Sequence, residues 1–131
     1  MGCSAFFMSQ ALEERDHAHK FIDYLNLRGN VVTLQGVLPP EKQCWDSPLA
    51  AFTDALQLES EVSKQIFDLH KLTVDLDDQC SSDFLENEFL NNQVEEYDKM
   101  SRHIAMLKRI GPEGLGVFIY DEYLLKKCEK K

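Results

Sequence analysis

The sequence lacks the cysteine pairs and long apolar runs that mark disulfide-rich, zinc-ribbon and membrane proteins. Its four cysteines, Cys3, Cys44, Cys80 and Cys128, are widely scattered and form no CxxC pair. This spacing is typical of reduced thiols in a cytosolic protein. No run approaches the roughly 18 apolar residues of a membrane-spanning helix, and the first residues lack the pattern of a signal peptide. We therefore expect a cytoplasmic protein that does not enter a membrane.

Basic residues are also scarce, since 14 lysines and arginines stand against 23 aspartates and glutamates, which gives a net charge of −9. Such an acidic balance disfavours binding to nucleic acid or to an anionic membrane surface. The 131 residues, 44% of them hydrophobic, suit one domain with a substantial core. The expectation is a single domain over residues 1–131 with no nucleic-acid partner and no membrane partner.

Glycine and proline are few, and they fall where long helical patterns end. Residues 31–45 contain Gly36, Pro39 and Pro40 and read as a long crossing connection, with an extended loop favoured over a short strand at residues 31–34. The basic tail, residues 126–131, is predicted to be frayed. The predicted helices run from near the start to Arg28, from Ser47 to about Asp75, from the acidic turn at residues 75–82 to about Arg109, and from Gly114 to Leu125.

Three of these patterns place metal-binding side chains within an otherwise apolar stripe. Glu14 and His17 lie in the middle of the first stripe, and Glu59 and Gln93 occupy stripe positions in the second and third. A lone Glu or His in such a stripe is more often a hydrogen-bonded core group than a ligand. Four donors in register on three helices favour a carboxylate-bridged metal site inside a helical bundle, because an unpaired buried carboxylate is costly.

The helix count indicates an all-α fold with one long member absent from a four-helix bundle. Three long helices and one short C-terminal helix are predicted, joined by one long crossing connection. Such a layout leaves an open apolar face on which a further helix would pack.

Several segments, in order along the chain, resemble eukaryotic ferritins. The string EERDHA at residues 13–18, followed by Leu27, Arg28 and Gly29, is similar to the second long helix of that family. Further matching strings are LQLESEV around Glu59, DLHKL at residues 68–72, DFLENEFLNNQV through Gln93, and GLGVFIYDEYLL near the end. The resemblance covers essentially the whole chain. It implies a heavy-chain-like, ferroxidase-type subunit with a ferritin-like four-helix bundle missing its first long helix.

The resemblance also implies a di-iron centre with named ligands. Glu14 would bridge both irons, His17 would bind the first, and Glu59 and Gln93 would serve the second. These four residues would be both the catalytic and the metal-binding residues, and iron, as Fe(II) and Fe(III), would be the bound metal. In the family, the absent helix supplies a further glutamate and a tyrosine to this centre.

Two further glutamates are weaker candidates for the metal site. Glu13 matches an outer-shell carboxylate of the family motif, although it lies beside the stripe and could equally pair with a neighbouring basic residue. Glu96 lies one helical turn after Gln93, so helical spacing alone makes it a candidate.

A second group of candidate functional residues comprises His70, Asp83 and Glu86. By resemblance these residues would line the threefold pores through which ferrous ions enter the ferritin shell. The simpler interpretation is helix-end chemistry, since acids at a helix start are stabilised by the free amides there.

The resemblance implies an iron-storage subunit that oxidises Fe(II) to Fe(III) with dioxygen and stores ferric mineral in a hollow cage. Its partners would be ferrous iron, dioxygen and other subunits, either copies of itself or full-length ferritin subunits, in a 24-mer-type cage. The alternative is a shortened, non-catalytic subunit that co-assembles with full-length subunits or modulates them.

Overall fold

A computed structural model describes residues 1–129, and within this range the chain contains helices and loops but no strand. The predicted all-α fold is therefore confirmed, and residues 31–34 lie in a loop rather than in a strand. Residues 130–131 of the predicted frayed tail lie outside the described range. The helical elements are α1 (Gly2–Leu27), α2 (Pro48–Asp75), α3 (Gln79–Leu85), a π-helical segment (Glu86–Leu90), α4 (Asn91–Ile110) and α5 (Leu115–Cys128).

The helix ends follow local chemistry visible in the sequence. The side chain of Ser47 accepts a hydrogen bond from the amide of Ala50, and Pro48 occupies the first helical position of α2. Asp78 caps α3 in the same way by accepting from the amide of Ser81. At the end of α4, Gly111 has a φ of 90°, which glycine adopts without strain. The predicted starts and stops at these three positions are confirmed.

The third predicted helix differs from expectation because it is not uniformly α-helical. The chain stays helical from α3 into α4, but Glu86–Leu90 forms a π-helical segment. Such a segment inserts an extra residue into a helix, which shifts the faces before and after it out of phase.

The frayed tail was predicted to begin at Lys126, which is too early, since α5 continues to Cys128.

The chain divides into two compact units. The first comprises Met1–Cys44 and the described part of Gly114–Lys131, where α1 packs against α5 and buries Phe6, Tyr120 and Leu124. The second comprises Trp45–Glu113, where α2 packs against α3, the π-helical segment and α4. Within the residues that the structure describes, no helix has the length and apolar character needed to cross a membrane.

Asp121 on α5 anchors the start of α1, the helix that carries Glu14 and His17. Its carboxylate accepts hydrogen bonds from the amide of Gly2 at 2.9 Å, the amide of Cys3 at 2.7 Å and the ammonium group of Met1 at 2.7 Å. Gly2 lies so close to α5 that a Cβ atom would clash with the backbone of Asp121. Burial favours a higher pKa for Asp121, but these hydrogen bonds outweigh it and hold the pKa well below the ordinary 3.8.

We expect Asp121→Ala to lower the free energy of unfolding by roughly 1–2 kcal/mol at pH 7, as loss of a helix cap does. Because the folded-state pKa is depressed, this stabilisation is fully present above the unfolded value near 3.8 and is lost as the pH falls through the folded value. Urea unfolding from pH 7 downward should show the parent and the variant converging in acid. Glu122→Ala on the same helix is the matched control, and an equal loss in both variants would contradict the capping role.

The cysteines should differ in their rates of alkylation. Burial, reinforced by a hydrogen bond between the Cys3 thiol and Asp121, raises the pKa of Cys3 to about 11. The reactive thiolate form of Cys3 is therefore scarce at neutral pH. Cys44 and Cys80 are exposed. We expect iodoacetamide at pH 8 to modify Cys44 and Cys80 before Cys3, as measured by peptide mass spectrometry over time. If Cys3 were alkylated at the same rate as Cys44, the start of α1 would not be packed against Asp121 as described.

Candidate metal centre

The first pair of predicted metal ligands lies on one face of α1. Glu14 and His17 are three residues apart, and Nδ1 of His17 lies 3.4 Å from Oε2 of Glu14. The His17 side chain is 24% exposed and that of Glu14 is 50% exposed. Glu14 was expected in a buried stripe, but its exposure means that it bears only part of the cost of burying a carboxylate. Glu13, the weaker candidate, is half-buried.

The spacing of this pair is compatible with a shared cation. Imidazole nitrogens and carboxylate oxygens bind a divalent metal such as zinc with bonds of roughly 2.1 Å, and two such bonds span the observed separation. The pair on α1 therefore has the donor types and the spacing to hold one divalent cation from a single helix.

The second pair of predicted ligands lies in the other unit. Glu59 on α2 and Gln93 on α4 are both half-buried. The hydroxyl of Ser63, on α2, donates a hydrogen bond to Oε1 of Gln93 across the α2–α4 contact. Ser63 follows Glu59 by four residues, so both lie on the same face of α2. The structure thus brings Gln93 to the face of α2 that carries Glu59.

Gln93 and Ser63 lie in an open, predominantly apolar groove between α2 and the π–α4 region. The groove has a volume of about 590 Å³. Phe67 and Tyr97, both among its lining residues, are 59% and 50% exposed. The residues that line the groove are Ser63, Lys64, Phe67, Leu90, Gln93, Val94 and Tyr97.

Glu96, the other weaker candidate ligand, pairs with a lysine on its own helix. Its carboxylate accepts hydrogen bonds from Nζ of Lys99 at 3.0 and 3.2 Å. An ion pair of this kind is worth about 1 kcal/mol or less, so Glu96 stays a candidate ligand.

The predicted pore residues cluster at the α2–α3 corner. Nε2 of His70 lies 2.6 Å from Oε1 of Glu86, the first residue of the π-helical segment. Asp83 is exposed and accepts a hydrogen bond from Nε2 of Gln79 at 2.8 Å. His70 and Glu86 are therefore in contact, whereas the hydrogen bond recorded for Asp83 joins it to Gln79.

The four predicted donors are divided between the two units. Glu14 and His17 belong to the first unit, and Glu59 and Gln93 belong to the second. Among residues 1–129, the structure contains no group of three or more His, Cys, Asp and Glu side chains arranged to hold a metal ion. The four-ligand site predicted from the sequence therefore stays a prediction.

Sequence reasoning missed two polar groups that organise these elements, Ser63 and Asp121. A signal for Ser63 was present, because a hydroxyl four residues after Glu59 falls on the same helix face. No comparable signal marked Asp121, since its partners lie almost the whole chain length away.

These features define an all-helical protein whose helix faces carry carboxylate, imidazole and carboxamide donors. A family model described as a ferritin-like domain matches residues 1–110. Soma ferritin of Lymnaea stagnalis is 44% identical over 124 residues, which cover 95% of this chain and 71% of that protein. The ferritin middle subunit of Aquarana catesbeiana is 43% identical over 124 residues, covering 93% and 70%, respectively. A ferritin of Pacifastacus leniusculus is 38% identical over 126 residues, covering 96% and 70%.

The chain belongs to the ferritin family. The family resemblance inferred from the sequence strings is thereby confirmed. Membership of this family supports a role in iron storage.

Proposed function

We propose that this chain is a ferritin-type iron-storage subunit that oxidises Fe(II) to Fe(III) with dioxygen at an intrasubunit di-iron site. The main structural support is the pair formed by Glu14 and His17, which present an oxygen and a nitrogen 3.4 Å apart on one helix face. Carboxylate and imidazole are donors that suit iron. The ferric product would be stored as mineral in a hollow cage.

The proposed ligands have separate tasks. Glu14 has two carboxylate oxygens and would hold both ferrous ions, while His17 would hold the first. Glu59 and Gln93 would hold the second ion through a carboxylate and a carboxamide oxygen. Two ferrous ions would together supply the two electrons that, with two protons from water, reduce one dioxygen to hydrogen peroxide. The negative carboxylates would stabilise the higher charge of the two ferric ions that result. Iron is therefore the substrate and the cargo of the site.

We propose that His70, Asp83 and Glu86 serve the passage of ferrous ions into the cage. Their support is the contact of His70 with Glu86 and the exposed carboxylate of Asp83. An acidic surface raises the local concentration of cations and speeds their arrival.

The double variant Asp83→Asn, Glu86→Gln should lower the initial rate of iron oxidation at limiting iron by roughly tenfold, with a smaller effect at saturating iron. Stopped-flow absorbance across a range of iron concentrations measures both quantities. Glu41→Gln combined with Asp46→Asn, both exposed in the loop before α2, removes the same charge elsewhere and is the control. Equal slowing at all iron concentrations would place the effect at the oxidation step rather than at iron passage.

The second candidate is a subunit that co-assembles with other ferritin subunits without oxidising iron itself. One observation favours it: residues 1–129 contain no group of three or more His, Cys, Asp and Glu side chains placed to hold a metal ion. In either role, the proposed partners are ferrous iron and further ferritin subunits, and cytoplasmic residence remains a prediction.

Iron loading followed by sedimentation distinguishes these roles. The purified chain is incubated with Fe(II) in air, and analytical ultracentrifugation records both protein and ferric absorbance. Iron that sediments with a large assembly of this chain alone supports a self-sufficient storage subunit. Iron that sediments with the assembly only after addition of another ferritin supports the co-assembling subunit. Ferric mineral that never sediments with protein would overturn both.

A further inference from the structure

We propose that Ser63 is a positioning residue for the second iron ion, a role that rests on the proposed function. Its hydroxyl donates to Oε1 of Gln93, the atom through which a carboxamide binds a cation. By holding Oε1 toward α2, Ser63 sets the direction in which Gln93 presents its oxygen. Ser63 acts through Gln93 and does not itself touch iron.

The position of Ser63 on α2 supports this role. Glu59 and Ser63 are four residues apart, so their side chains project from one helix face about 6 Å apart along the axis. The hydrogen bond from Ser63 therefore fixes the Gln93 carboxamide within about one helical turn of Glu59. Ser63 thus holds one of the two side chains proposed to bind the second ion near the helix face that carries the other.

Most of the groove lining around Gln93 is apolar. Phe67, Leu90 and Val94 provide no side-chain hydrogen-bond donor, whereas Lys64 and Tyr97 carry donors and line the same groove. The hydrogen bond recorded for the Gln93 carboxamide is the one from Ser63. A hydrogen bond in weakly polar surroundings is also stronger than one in water. Ser63 thus gives the Gln93 carboxamide a hydrogen-bond partner on α2 that limits its rotation.

The hydrogen bond leaves Gln93 able to bind metal. A carboxamide oxygen has two lone pairs, and Ser63 occupies one of them. The second lone pair is available to a cation. The hydrogen bond on the first lone pair helps fix the direction of the carboxamide. A hydrogen-bond partner of this kind typically changes metal affinity by 10–100-fold when removed.

The test compares Ser63→Ala with Ser63→Thr, which retains the hydroxyl. Ser60→Ala, on an exposed position of the same helix, is the matched control. Anaerobic titration with Fe(II) alone measures the affinity of each iron ion, and stopped-flow oxidation separates KM from kcat. Side-chain amide NMR of the metal-free chain reports whether Gln93 holds one orientation.

We expect Ser63→Ala to weaken the second Fe(II) about tenfold and to raise KM, while the first Fe(II) and kcat at saturating iron stay near the parent values. The Gln93 amide signals should broaden or shift in Ser63→Ala and return in Ser63→Thr. Ser60→Ala should match the parent in every measurement.

Two outcomes would overturn the inference, and they are distinguishable from each other. A parent chain that binds and oxidises an iron pair, with Ser63→Ala equal to it, would refute the positioning role alone. A parent chain that binds no iron pair would refute the proposed function, and the role of Ser63 in it would fall as well. Circular dichroism of each variant separates both outcomes from a loss of folding.

Discussion

Replacing Glu14 with glutamine should lower the rate of iron oxidation by roughly 100-fold or more, while the free energy of unfolding changes little. A bridging carboxylate supplies two anionic oxygens, whereas a carboxamide supplies one neutral oxygen and cannot offset the added charge of two ferric ions. Removing a partner of a metal ligand already lowers activity 10–100-fold, so removing a bridging ligand should lower it at least as much. Stability should be preserved because the Glu14 side chain is 50% exposed.

Stopped-flow absorbance of the ferric product, measured beside urea unfolding, checks both parts of this expectation. Asp23→Asn, on an exposed position of the same helix, is the matched control because it removes the same charge. Rates in Glu14→Gln and Asp23→Asn that both equal the parent rate would show that iron is oxidised elsewhere.

Replacing Phe52 with alanine should lower the free energy of unfolding by about 3–5 kcal/mol, the usual loss for a buried aromatic side chain. Phe52 is 0% exposed, and its ring centroid lies 5.1 Å from that of buried His103 on α4. Truncation would leave a cavity where α2 packs on α4, the contact that also holds Ser63 against Gln93. Since a domain of this size is stable by only about 5–15 kcal/mol, much of its stability depends on this ring.

Urea unfolding followed by circular dichroism measures the effect as a lower midpoint at unchanged slope. Phe67→Ala is the matched control on the same helix, because Phe67 is 59% exposed and should cost less than about 1 kcal/mol. Equal losses from the two substitutions would contradict the burial assigned to Phe52.

The parts of the fold that depend on local chemistry could be predicted from the sequence. Ser47 with Pro48, and Asp78 before α3, place a side-chain acceptor or a proline where free amides lie, and both helices begin there. Gly111 ends α4 for an equally local reason. These signals require only neighbours in sequence, so no tertiary information was needed to find them.

The features that depend on contacts between helices could not be predicted. The π-helical segment Glu86–Leu90 leaves no clear mark in the pattern, because its side chains fit an α-helix as well. The hydrogen bond between Ser63 and Gln93 depends on the register of α2 against α4, which amphipathic periodicity does not fix. Asp121 was missed for the same reason, since only packing of α5 on α1 brings it to Gly2.

The sequence indicated which residue types could bind a metal ion, but it did not indicate how their side chains are arranged. Helical spacing correctly placed Glu14 and His17 on one face of α1, where they lie 3.4 Å apart. Helical spacing could not reveal that Glu14 is half exposed or that Glu96 pairs with Lys99. Both features depend on how the neighbouring side chains pack. The assignment of iron rests on membership of the ferritin family, since carboxylate and imidazole donors also suit other metals.

The most direct test of the proposed ferroxidase site is rapid mixing of the purified chain, preloaded anaerobically with Fe(II), against dissolved dioxygen. The account predicts a fast phase of ferric absorbance whose amplitude corresponds to one iron pair per chain and which Glu14→Gln removes. Oxidation only at the rate of Fe(II) in buffer, with no fast phase at any iron ratio, would contradict it.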